Sequence, residues 1–79
     1  MTASERNALP TTGSFVVDTS RNEIGQVMDY DPEQACLQLR PPRGGLEWDA
    51  RPDDVRPATD KERLSAKVQA ANSGRWWSQ

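Results

Sequence analysis

The sequence predicts a mostly β protein, a small antiparallel barrel of about 4–5 strands followed by one C-terminal α-helix. Three observations predict it. Short segments of alternating polarity separated by turn residues fill the middle of the chain, a capping-box signature opens a helical stretch at Thr59, and only 34% of the 79 residues are apolar. A chain of this length and composition has room for one compact domain with a small core.

Residues 1–12, MTASERNALPTT, hold only Met1, Ala3, Ala8 and Leu9 as apolar members and cannot repay the entropy of being ordered, so a flexible N-terminal arm is expected there. The barrel is placed at residues 13–58. Residues 14–18 (SFVVD) are rich in β-branched and aromatic side chains and give the first strand, and residues 19–22 give a tight polar turn. The second strand is 24–30 (IGQVMDY), in which Gly25 marks a bulge or a place where another backbone passes closely. Asp31, Pro32 and Glu33 form a turn, and residues 35–40 form a third strand with Leu37 and Leu39 inward and Gln38 and Arg40 outward. In the loop PPRGG, Gly44 and Gly45 can take positive φ. A fourth strand, 46–49, places Leu46 and Trp48 on one face, and residues 52–57 make a helical turn and a short closing strand with Val55 packed beneath.

The period then changes. Thr59 and Glu62 match a capping box, and Leu64, Val68 and Ala71 recur at helical spacing with Gly74 placed as a C-terminal cap. A helix is expected over about 60–72, within a helical segment 59–73, followed by a tryptophan-containing tail, 74–79. The Leu64, Val68, Ala71 stripe is thin. It needs cover from the barrel, a second copy or a partner, because an isolated helix of this length is marginal in water.

Composition excludes several functions. The chain has no histidine and a single cysteine, Cys36, so the common zinc sites, the Ser/His and Cys/His nucleophile arrangements and an internal disulfide are all unavailable. Asp29, Asp31 and Glu33 lack the glycine and distal glutamate of a calcium loop. No catalytic residue, metal or cofactor is expected, and the chain is not read as an enzyme. No basic start leads into a long apolar run, and no apolar run approaches the roughly 20 residues that span a bilayer, so a cytoplasmic protein without a membrane partner is expected.

The segments VVDTSRNEIGQVMDYD and LQLRPPRGGLEWDARPDDVRPA, within about residues 13–57, resemble the PRC-barrel type. The likeness lies in a strand ending in Asp18, a short turn, the Ile24-Gly25-x-Val27 strand, an alternating strand and a late proline-led turn. The same cadence resembles short uncharacterised actinobacterial proteins. The resemblance implies an SH3-like barrel that docks onto other proteins or RNA–protein assemblies; Ile24-Gly25-x-Val27 also fits a KOW-type barrel, which would imply nucleic-acid binding.

Candidate partner-binding residues are Trp76, Trp77, Trp48, Tyr30 and Arg43. Trp48 is read first as core, in phase with Leu46, and second as a groove residue; Tyr30 is read first as a strand-end cover. Trp76 and Trp77, on an extended segment, would point to opposite sides, leaving one of them available as an anchor; the alternative is that both pack over the barrel and thereby dock the helix. Arg40, Arg43, Arg51 and Arg56 are the candidate phosphate contacts, opposed by a net charge of −2 and by Glu47 and Asp49 among them. The expected function is a non-catalytic interaction or adaptor module for another protein, with a homodimer through the helix face compatible with it. The alternative is a KOW-like nucleic-acid-binding accessory domain.

Overall fold

The computed structural model describes residues 9–78, with side chains described through residue 72. Five strands form in chain order: β1 (Phe15–Asp18), β2 (Glu23–Asp31), β3 (Cys36–Arg40), β4 (Trp48–Ala50) and β5 (Val55–Pro57). A one-turn 3-10 helix, Pro52–Asp54, lies between β4 and β5, and one helix, α1 (Asp60–Ser78), follows. All pairings are antiparallel and the strand order is β4-β3-β2-β1-β5. The architecture is thus mostly β with a single C-terminal helix, as the alternating pattern and the capping box predict. Among the described residues no hydrogen-bonded ladder joins β4 to β5, so the sheet stays open at that seam and the 3-10 turn carries the chain across it.

The core lies on one face of the sheet. Val16, Val27, Leu37, Leu39 and Ala50 form one buried cluster, with Tyr30, Trp48 and Val55 packed against it. Leu37 and Leu39 are completely buried, because the pleat sends both residues of β3 to the same side while Gln38 and Arg40 face out. β1 is buried on both faces: Val16 and Asp18 look into the core, and Phe15 and Val17 lie on the opposite side. That double burial matches its run of apolar residues and its central place between β2 and β5.

Two hairpins are built alike. In each, an aspartate ends the first strand, four residues make the loop, and the last of them has positive φ: Asp18 and Asn22 (φ 55°) in one, Asp31 and Ala35 (φ 53°) in the other. Each aspartate Oδ1 accepts the backbone N–H two residues on, from Ser20 at 3.0 Å and from Glu33 at 3.0 Å, which holds the loop in an Asx turn. The carboxylate of Asp31, considered above as a cation ligand, serves the turn.

Several boundaries differ from expectation. The irregularity in β2 falls between Val27 and Asp29, not at Gly25. The fourth strand begins only at Trp48, and Leu46 is 91% exposed rather than in phase in the core. Pro41 and Pro42 cannot donate to a ladder, and Gly44 and Gly45 take φ of 87° and 117°, so the chain leaves the extended conformation until Trp48. Of the expected flexible arm, residues 1–8 lie outside the described residues. From Thr11 the chain is fixed to the sheet: the Thr11 carbonyl accepts the Ser14 N–H and hydroxyl, and the Gly13 N–H donates to the Val27 carbonyl at 2.7 Å.

The capping box forms as predicted, with the Glu62 N–H donating to Thr59 Oγ1 at 3.1 Å and the Thr59 N–H donating to Glu62 Oε1 at 2.9 Å. Helical backbone then continues through Gly74 to Ser78, so Gly74 does not cap the helix and residues 74–78 are not an extended tail. The face turned to the sheet carries buried Ala66, with Glu62 and Gln69 half-buried, beside Val17 and Ile24 of the outer sheet face. The stripe read from the sequence lies elsewhere: Leu64 and Val68 are 65% and 52% exposed.

Ala35 holds a left-handed conformation that costs an alanine about 1–2 kcal/mol, so Ala35→Gly is expected to raise the urea midpoint slightly after the entropic cost of glycine is subtracted. Thr59→Ala removes the cap and is expected to destabilise by about 1 kcal/mol in the same denaturation measurement.

Candidate functional site

The most connected polar group in the fold is the carboxylate of Asp18, a charged residue only 2% exposed. Such a group is tolerated inside a protein when hydrogen bonds replace its water. The Ser20 hydroxyl donates to Oδ1 at 2.7 Å beside the Ser20 N–H, and the Trp48 indole N–H donates to Oδ2 at 2.8 Å. Burial pushes the Asp18 carboxyl up, but the bonds from the Ser20 hydroxyl, the indole and the backbone N–H groups of Ser20 and Arg21 together outweigh it. Its pKa lies below the ordinary value.

This carboxylate brings β4 onto the β1–β2 turn. The Arg21 guanidinium lies 4.4 Å from the Trp48 ring centroid, a cation–π contact on the indole face. Gly25 gives the ring room: a Cβ there would lie 3.0 Å from both the Trp48 Cη2 and the Leu39 Cβ. The same turn reaches the 3-10 helix, because the Thr19 N–H and hydroxyl both donate to the Asp54 carbonyl, at 2.8 and 2.7 Å. Asp18, Arg21 and Gly25 therefore all meet at the Trp48 indole. Sequence reasoning singled out Trp48 and Gly25, and missed Asp18 and Arg21 as their partners. The available signal was a polar turn directly after a buried strand, which cannot by itself specify an indole 30 residues away.

Of the predicted partner-binding residues, Trp48 is half-buried, its N–H donating to Asp18 and one face under Arg21. Tyr30 packs against the core from the end of β2. Arg43 is exposed on the 41–47 loop, where with Pro41, Leu46 and Trp48 it lines a shallow open groove facing Gln69 of α1. The side chains of Trp76 and Trp77 lie outside the described residues.

The four phosphate candidates lie on different elements: Arg40 ends β3, Arg43 is in the 41–47 loop, Arg51 follows β4 and Arg56 is in β5. Arg40 and Arg51 are exposed on the sheet and its edge. Arg56 is engaged in a two-pronged pair with Glu62, Nη1 to Oε1 and Nη2 to Oε2 at 2.9 Å each. Arg56 holds the Glu62 carboxyl down at about 2, with help from the Thr59 N–H, and its own pKa is raised by the same contact. This pair ties β5 to the first turn of α1.

A second exposed surface is the outward face of α1. Leu64 and Val68 are one turn apart, with Lys61 and Lys67 exposed beside them and Arg63 paired with Asp60. Among the described residues no helix is long and apolar enough to cross a membrane, and no three His, Cys, Asp or Glu side chains converge as metal ligands.

Replacing Trp48 by Phe keeps much of the packing but strips a donor from a buried carboxylate, and is expected to cost about 1–3 kcal/mol by urea denaturation. Gly25→Ala is expected to cost about 1–3 kcal/mol, because Leu39 and the indole must both give way. Because the folded pKa of Asp18 is depressed, its contribution is fully present above the ordinary value of 3.8 and is lost as pH falls through the lower folded value. The stability gap between the wild type and Asp18→Asn should therefore be widest near neutrality and shrink below about pH 4; a gap independent of pH would refute this role of the carboxylate.

The chain matches no family model, no curated protein and no solved structure, and its function rests on this geometry.

Proposed function

We propose that the protein is a non-catalytic interaction module, an adaptor on an SH3-like scaffold whose docking element is α1. The observation that carries this is the orientation of the helix. Its sheet-facing side buries the small Ala66, while the bulkier Leu64 and Val68 are left 65% and 52% exposed. A helix normally buries its larger apolar residues against its own domain, so the reverse arrangement is what a surface reserved for a partner looks like.

The scaffold supports the same role. Strand order β4-β3-β2-β1-β5 with a 3-10 turn before the last strand suits an SH3-like barrel, and the PRC-barrel-type resemblance points to domains that dock onto other proteins. The Asp18–Trp48 contact makes the sheet a rigid base, and the Arg56–Glu62 pair fixes the start of the helix to it. Cys36 has no second cysteine to pair with, which suits a reducing compartment such as the cytoplasm.

The test is affinity capture from a nuclease-treated lysate with three forms of the chain: intact, carrying Leu64→Ser and Val68→Ser together, and ending at Ser73. Both serines replace exposed residues, so the double variant should fold normally by circular dichroism. It is expected to lose a protein that the intact chain recovers, and the chain ending at Ser73 shows whether Trp76 and Trp77 add to the contact. Equal recovery by intact and double-variant chains would move the docking surface off α1, and recovery only without nuclease would favour the nucleic-acid alternative.

A further inference from the structure

The charges around the exposed helix face indicate the chemistry of its partner. In the described part of α1, Asp60 is paired with Arg63, and Glu62 is paired with Arg56 of β5. That leaves Lys61 and Lys67 as the cations without an acidic partner beside Leu64 and Val68; Lys61 also borders the cleft between α1 and the sheet, and the Asp60 carboxylate, paired with Arg63, is exposed one turn before Leu64. The two lysines sit three residues to either side of Leu64, within reach of anything laid against it. The rest of the domain has the opposite sign: residues 13–59 hold nine Asp and Glu against five Arg. A basic, apolar-centred strip therefore runs along an otherwise acidic protein.

The spacing is also compatible with a helical partner. Leu64, Val68 and Ala71 are separated by four and then three residues, which is the d-a-d order of a two-helix seam, and Lys61 takes the preceding a position. Leu at d with Val at a is the combination that suits a pair of helices. A second copy laid parallel along this seam would set Lys61 against Lys61, whereas a helix with carboxylates at its flanking positions would neutralise both lysines.

We propose that the Leu64, Val68, Ala71 face of α1 takes an acidic amphipathic helix of another protein. The partner's apolar seam covers Leu64 and Val68, and its carboxylates pair with Lys61 and Lys67. This rests on α1 being the docking element and adds the chemical class of what docks there.

The experiment titrates the isotope-labelled full chain with two synthetic helices of about three heptads, identical in Leu and Ile at a and d, one with Glu and one with Lys at e and g. The acidic helix is expected to bind at least about tenfold more tightly at low salt, with amide shifts along residues 61–71, and the preference should shrink as salt rises. Lys61→Glu with Lys67→Glu should reverse the preference, and Leu64→Ser with Val68→Ser should abolish binding while the sheet signals stay in place.

Equal binding of the two helices, shifts confined to the sheet, or no binding of the acidic helix would overturn the proposal. So would a dimer seen in sedimentation and lost in the Leu64→Ser, Val68→Ser variant, which would assign the face to a second copy. Serine-sensitive capture from lysate combined with failure of the acidic helix would remove the partner's chemistry and leave the adaptor function standing; failure of both would remove the adaptor function as well.

Discussion

The buried carboxylate of Asp18 is the constraint on which the rest of the structure depends. It ends β1 on the core side, and a charge placed there must be matched by donors or the strand could not bury. Ser20 supplies two donors from the adjacent turn and Trp48 supplies one from the far edge of the sheet. That last bond bends the sheet: β4 pairs only with β3, yet its indole reaches across to the β1–β2 turn. The cost of an unpaired buried donor or acceptor, about 1–3 kcal/mol for each, makes the closed arrangement the favourable one even without a β4–β5 ladder.

The position of α1 follows from that closure. β5 can lie beside β1 because the 3-10 turn is held by Thr19, a neighbour of Asp18, through the Asp54 carbonyl. Arg56 on β5 then grips Glu62, the residue that also completes the capping box. One glutamate thus starts the helix and orients it. With its first turn fixed in this way, the helix presents Ala66 to Val17 and Ile24 and turns Leu64 and Val68 outward. The interface with the sheet is slight, as the small alanine side chain implies. Among the described residues, the hydrogen-bonded tie between this helix and the sheet is at its first turn.

The acidic character of the domain bears on the same surface. Charge on the sheet, including Asp29 and Asp49 beside Gln38, would repel an anionic polymer approaching broadly. It does not reach the strip of α1 that carries Lys61 and Lys67. Of the four arginines at positions 40, 43, 51 and 56, Arg56 is engaged by Glu62.

Much of this was legible in the sequence because it depends on neighbours along the chain. The alternation of Leu37 and Leu39 with Gln38 and Arg40 specifies which side of β3 is buried, and the pairing of Thr59 with Glu62 specifies where the helix begins, since both follow from backbone periodicity and local hydrogen bonding. The strand character of residues 15–18, and the turns at residues 19–22 and 32–35, are local in the same sense. Tertiary structure decided what depends on distant partners. Trp48 and Leu46 looked equivalent by spacing, yet only Trp48 found a buried acceptor, and the glycines between the prolines and Leu46 left the latter in solvent. The stripe of Leu64, Val68 and Ala71 was visible in the sequence, but its direction was not, because that depends on a salt bridge to β5 and on how closely Ala66 lets the helix approach the sheet. Sequence determines which residues can share a face; the three-dimensional packing determines which face meets the protein's own sheet and which is exposed.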